Sequence, residues 1–306
     1  MKAPSVKIAS ASKLRGLLTL AAIAASVRFA SAAVEVWNGA NFTTTTTNWS
    51  DAANWLPVGT PGAADTAVFG VNGTVSDALT VNNVVDANTT VGTLQYTNST
   101  SGQWHVTEIP AGITLTASNV TIGGMSVDNV TTSVALTGGG TLHAYGSTLN
   151  VGNTGTSGSA SSATADFSSL SNFIYEAPTG TFNLGNNGSR SVGNMTFAAV
   201  SNSITATNFI FEASASSSSV SGTLNLGTGT NIFNVSSNLI GSQRSAGTIQ
   251  FASGNTTGGI HWRGTSGADS DRANMTLGWR SAGGTSGTSR GRLFFNDHPV
   301  DMKLAT

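Results

Sequence analysis

The 306-residue chain contains no cysteine. Disulfides, thiolate metal sites and cysteine nucleophiles are therefore excluded. Charge is scarce too. Asp, Glu, Lys and Arg make up 9% of the residues, against roughly 25% in an ordinary globular domain. No Lys or Arg occurs from Phe29 to Ser189. A nucleic-acid partner is not expected, because that binding needs clustered cations that displace counterions. A long apolar run is also missing. The longest, LLTLAAIAASV at 17–27, falls short of the roughly 20 residues of a membrane span, so no transmembrane segment is expected. What remains is a chain crowded with Gly, Ser, Thr and Asn, interrupted by Val, Leu, Ile and Phe. That mixture suits many short strands joined by tight turns.

The apolar run sits in a recognisable order. Lys2, Lys7, Lys13 and Arg15 precede it, and Ala30-Ser31-Ala32 follows as a small-x-small site. This is the pattern of a Sec-type signal peptide. It predicts a leader over 1–32, cleavage between Ala32 and Ala33, and a secreted or cell-surface product. Five basic residues would leave with the leader, so the mature chain would carry a net charge of about −6.

Beyond the leader no segment holds a helical period. Apolar and polar residues alternate in short groups such as Thr-Phe-Asn-Leu (181–184) and Thr-Ile-Gln-Phe (248–251), usually with Gly or Asn behind. This is the strand period of two with turn punctuation. Phrases recur. SNFIYEA (171–177) returns as TNFIFEA (207–213), and GTFNLG (180–185) as GTLNLG (222–227), with STLNVG (147–152) as an earlier relative. Arg-Ser-small-Gly occurs at 190, 244 and 280, each time after an aliphatic-Gly pair. Strand phrases at intervals of about 20–50 residues signal a solenoid, since one short strand cannot bury its face alone. Stacking at about 4.8 Å per coil predicts that Phe173 lies near Phe209. It also predicts a repeat core containing Leu184, Leu226, Phe251 and Phe294.

The stretch 37–69, WNGANFTTTTTNWSDAANWLPVGTPGAADTAVF, holds three of the six tryptophans, Trp37, Trp49 and Trp55. Its W-N-G, N-W-S, A-A-N-W-L-P and P-G-A-A-D-T-A-V-F elements resemble the N-terminal unit of secreted bacterial autotransporter-associated beta strand repeat proteins. MTLGWRSAGGTSGTSRGRLFFNDHPVDMKLAT (275–306) is similar to their repeats. The resemblance implies an all-β fold, a right-handed parallel β-helix, an extracellular or cell-surface location and no known catalytic residues. It divides the chain into a signal peptide (1–32), an N-terminal cap with its leading strands (33–75) and solenoid repeats (76–306), the last incomplete. A solenoid end must cover its core. Trp37, Trp49, Trp55, Pro61, Asp65 and Phe69 are the residues expected to do so, with Pro57 and Pro61 ending further strand pairing.

Candidate chemistry is sparse. His105, His143, His261 and His298 share no ligand spacing, and each reads as a surface or turn residue. Asp297, His298 and Asp301 form the densest ionisable group, read as a turn. Asp269 and Asp271 near Arg263 and Arg272 read as exposed pairs of little weight. Glu176 and Glu212 occupy matching places in the two related phrases. One coil apart they would be about 5 Å apart, the separation a retaining glycosidase needs; solvent-facing repeats are the simpler reading. No cofactor or metal site is expected. The leading expectation is a non-enzymatic structural or adhesin-like solenoid. The alternative is a polysaccharide-binding or polysaccharide-degrading β-helix, with extracellular polysaccharide or cell-surface components as partners.

Overall fold

The computed structural model describes residues 31–39, 46–155, 159–185, 190–213, 220–279 and 289–305. The expected leader lies outside them, except for Ser31 and Ala32, which are exposed. The alternating segments are strands with alternating burial, as in Ser201–Phe211 and Ser245–Phe251. They form a 13-stranded and an 8-stranded sheet. Strand pairs are parallel, except that Val34–Trp37 pairs antiparallel with Trp55–Leu56 at one end. The result is an all-β parallel solenoid of about seven turns. No helix among the described residues is long and apolar enough to cross a membrane.

Each full coil runs through three lanes of strand. The 8-stranded sheet supplies one. The 13-stranded sheet supplies two, because strands such as Asn172–Leu184 continue past an irregularity between Ala177 and Thr181. Asn172 pairs with Ser201, Ser201 with Thr230 and Thr230 with Gly259, a coil step of 29 residues. This step corrects the register expected from the repeated phrases. Phe173 pairs with Asn202, and Phe209 pairs with Phe182. SNFIYEA and TNFIFEA therefore lie in different lanes. GTFNLG and GTLNLG even lie in different sheets. STLNVG does stack on GTFNLG, Leu149 on Phe182 and Asn150 on Asn183.

The aliphatic-Gly pairs mark a corner. Gly185, Gly241 and Gly278 have φ of 67°, 65° and 68°, a left-handed turn that glycine makes without steric cost. The corner backbone presses against the next lane. A Cβ on Gly193 would lie 2.3 Å from the Gly185 nitrogen. This explains the glycine of Arg-Ser-small-Gly: Gly193 and Gly247 occupy the lane that faces the corner. The third copy, 280–283, lies outside the described residues. Gly291 takes the matching register position, opposite Gly247.

Inside, aromatic side chains stack coil on coil. Phe182 and Phe209 lie 5.2 Å apart between ring centroids, and Phe233 and Trp262 lie 4.2 Å apart. Phe173, Phe209, Leu184, Leu226 and Phe251 are all buried. Phe294 is not; it is 48% exposed. It pairs with outward-facing Gln250, and alternation sends Leu293 and Phe295 inward instead. One inward column turns polar for two coils, between Phe173 and Ile260. Buried Asn202 accepts from the Ala198 N–H, donates to its carbonyl and donates to Asn231 Oδ1 at 3.0 Å. Asn231 repeats the pattern on Gly227. Buried amides cost little when every group is bonded in this way.

Two substitutions test the register. Gly193→Ala should lower unfolding stability by about 1–3 kcal/mol through overpacking at the corner. Phe209→Ala should cost about 3–5 kcal/mol by opening the aromatic stack. Denaturant titration monitored by circular dichroism measures both. A neutral Gly193→Ala would contradict the corner packing.

Candidate functional site

The tryptophan stretch closes one end of the solenoid. Trp37 and Trp55 are fully buried and Trp49 is 2% exposed. Trp55 meets Trp37 edge-on at 5.1 Å and Trp49 at 5.3 Å. Phe69 packs against all three, and Tyr96 stacks on Phe69 at 4.8 Å. Two indole N–H groups are satisfied: Trp49 donates to Asn83 Oδ1 and Trp55 to the Trp49 carbonyl. Because the indole faces are spent on one another, they offer no open platform for a sugar ring. Pro61 is buried beside them, and Asp65 is half-buried in the turn that follows. The cap strands Val34–Trp37 and Thr66–Phe69 belong to the same sheet as the coils.

His105 is a core residue of this end, which corrects its surface reading. It is fully buried and meets Phe69 edge-on at 5.3 Å. Its Nε2–H donates to the Gly70 carbonyl at 2.7 Å, which leaves Nδ1 to accept from the Asn82 amide at 3.3 Å. Burial disfavours the imidazolium and the Gly70 carbonyl favours it. Burial wins, and the pKa falls to about 4.

Next to the cap lies a pocket of about 290 Å³, lined in part by Trp49, Ser50, Thr60, Pro61, Asp86 and Asn88. Burial pushes the Asp86 carboxyl up, but the Ser50 hydroxyl and N–H, at 2.5 and 3.0 Å, outweigh it and hold the pKa below the usual range. The pocket therefore presents a carboxylate, hydroxyls and an amide.

Along the 13-stranded sheet the outward positions form continuous columns. One contains Thr93, Asn119, Thr148, Thr181, Asn208 and Ser237. Its neighbour contains Gln95, Thr121, Asn150 and Asn183 and then turns apolar with Ile210 and Leu239. Neither carries a charge. Their amides bond along the stack, Asn183 donating to Asn150 Oδ1 at 2.8 Å. At about 4.8 Å per coil the first column spans about 24 Å.

The carboxylates do not converge as a stacked pair. Glu176 pairs with Thr205, is exposed, and has its Oε2 3.4 Å from His143 Nε2. Glu212 stands at the corner that glycine occupies in other coils, with φ of 50°, and is fully buried. Its Oε1 accepts the Gly193 N–H at 2.8 Å, while Oε2 has no partner. Burial raises its pKa well above the ordinary value despite that hydrogen bond. The different lanes of the two phrases overturn the one-coil separation and with it the glycosidase geometry. Arg263 is also corrected. Its side chain is only 7% exposed and is held between Asp269, at 2.9 Å, and Asp301. Asp271 instead accepts from the Ser266 N–H and hydroxyl. His298 stacks on Phe251 at 3.6 Å. Among the described residues no group of three or more His, Asp or Glu could hold a metal ion.

Two buried ionisable groups, His105 and Glu212, oppose each other in pH. His105 has a lowered folded-state pKa, so its contribution is complete above about 6.5 and is lost as pH falls toward 4, on the order of 3 kcal/mol. Glu212 has a raised one, so its contribution is complete below about 4.5 and erodes as pH rises. Relative to the natural chain, His105→Gln should gain stability as pH falls from 7 to 4, and Glu212→Gln as pH rises above about 4.5. Denaturation midpoints across pH measure this, and parallel curves for all three proteins would contradict it.

Compared with protein-family models, curated proteins and solved structures, the chain finds no match in any of the three.

Proposed function

We propose that this chain is a secreted bacterial β-solenoid of the autotransporter-associated repeat type, working at or outside the cell surface as a non-enzymatic structural, adhesin-like passenger. The observation that carries this reading is the uncharged hydroxyl and carboxamide column from Thr93 to Ser237, in register over successive coils. A flat, regular, neutral surface of this kind suits many weak contacts spread over a length. The leader pattern at 1–32 supports export.

A second reading, polysaccharide binding, is favoured by the Asp86 pocket. Its carboxylate accepts hydroxyl protons, and Ser50, Thr60 and Asn88 offer further polar groups. A polysaccharide-degrading form would need a second catalytic carboxylate or a metal beside the first.

The mature chain, applied to glycan arrays and to bacterial and host cell surfaces, tests both readings. The structural reading predicts surface retention that falls at least severalfold when Thr181→Glu and Asn208→Glu place charge in the column, with the circular dichroism spectrum unchanged. It also predicts no release of reducing ends or unsaturated products from neutral or acidic polysaccharides. Catalytic release would contradict it. Glycan binding lost on Asp86→Asn but kept in the column variants would favour the second reading.

A further inference from the structure

The PGAAD turn binds something specific. Gly62 and Asp65 close it twice: the Asp65 N–H donates to the Gly62 carbonyl at 2.9 Å, and the Gly62 N–H donates to Asp65 Oδ2 at 2.8 Å. Asp65 Oδ1 is thereby aimed outward from the turn, and it accepts the backbone N–H of Ala33 at 2.7 Å. The Ala33 carbonyl accepts the Thr66 N–H at 2.8 Å. Ala33 is thus gripped from both sides of its backbone, immediately before the strand Val34–Trp37. Ser31 and Ala32 are exposed, so the backbone bonding to the sheet begins at Ala33, the residue that follows the small-x-small site.

We propose that Asp65 is the receptor for the amino terminus that export creates at Ala33. This inference rests on the secreted reading of residues 1–32. The reaction is hydrolysis of the Ala32–Ala33 amide by a membrane peptidase that accepts small residues. Water adds to the Ala32 carbonyl, the C–N bond breaks, Ala32 leaves as a carboxylate, and the Ala33 nitrogen takes up a proton to become an ammonium. The nitrogen stays where it was. A hydrogen bond with charge on the acceptor alone becomes an ammonium–carboxylate ion pair with charge on both partners. The only other cations of the mature chain lie at Arg190 or later, so the new ammonium is the one positive charge of the acidic front half. The cap is consequently tightest only after the leader has gone, which leaves the exported precursor easier to keep unfolded.

Four proteins of defined terminus test this: chains starting at Ala33 or at Ser31, each with Asp65 or with Asp65→Asn. The Ala33 terminus should raise the melting temperature over the Ser31 terminus by about 1–4 °C with Asp65 present, as expected for an ion pair in a chain of this size. It should give no gain with Asp65→Asn. Equal melting temperatures, or a gain that survives Asp65→Asn, would overturn the proposal. Should Asp65→Asn fail to fold, amine labelling decides. Lys303 is the only lysine of the mature chain and serves as the reference. The Ala33 amine should label about twofold to fivefold more slowly than the Ser31 amine in the longer chain, and equal rates would overturn it. Mass spectrometry of the secreted chain separately reads the cleavage position. A terminus elsewhere removes the export premise without touching the pairing measured on the defined chains.

Discussion

Backbone pairing between successive coils is the constraint from which the rest of this molecule follows. A strand in the middle of the solenoid bonds to the strand one coil before and to the strand one coil after. No short strand of this chain could bury its apolar face unaided, and stacking supplies both the hydrogen-bond partners and the covering side chains. Once the coil step is set, 29 residues in the lane of Asn202 and 27 in the lane of Thr181 and Phe182, inward residues must meet inward residues of their own lane. Phe182 then meets Phe209, and Asn202 meets Asn231. The corners must fit inside the same step. That is why Gly185 and Gly241 turn left-handed and why Gly193 carries no side chain.

The same constraint makes the ends exceptional. An interior coil has neighbours on both sides, but an end coil leaves one edge of its core uncovered. At the front, an antiparallel strand, Trp55–Leu56, and a cluster of three indoles with Phe69, Tyr96 and His105 take the place of a further coil. Packing a histidine there gives that end a sensitivity to acid that a purely apolar cap would lack. At the other end the strands Asn274–Leu277, Arg290–Phe294 and Val300–Met302 lack the deep alternating burial of the interior, and Leu277, Trp279 and Val300 are each about half exposed.

The fold class was legible because alternation and turn residues are local properties. The coil register was not. Three lanes impose the same demand, an apolar-polar alternation followed by a turn, so phrases such as SNFIYEA and TNFIFEA come to look alike without stacking. That one ambiguity produced the misplaced pairing of Phe173 with Phe209 and the supposed stacking of Glu176 with Glu212. Phe294 failed through alternation itself: of two adjacent phenylalanines only one can point inward, and Phe295 does. The three tryptophans that pack together at that end also cluster in the sequence, whereas His105 was not readable, since burial of a lone histidine leaves no spacing signal. The buried asparagines did leave one. Ala198 with Asn202 and Gly227 with Asn231 share a four-residue spacing at equivalent turns, visible only once the 29-residue step is known.

Cross-linking measures that step directly, and the cysteine-free chain gives it a clean background. Stacked positions about 4.8 Å apart fall within the roughly 4.4–6.8 Å Cα range of a disulfide. Asn183→Cys with Ile210→Cys, partners one coil apart, should form an intramolecular bond under mild oxidation. Ile174→Cys with Ile210→Cys, the partners that the repeated phrases suggest, should remain reduced. The opposite outcome would contradict the coil architecture described here.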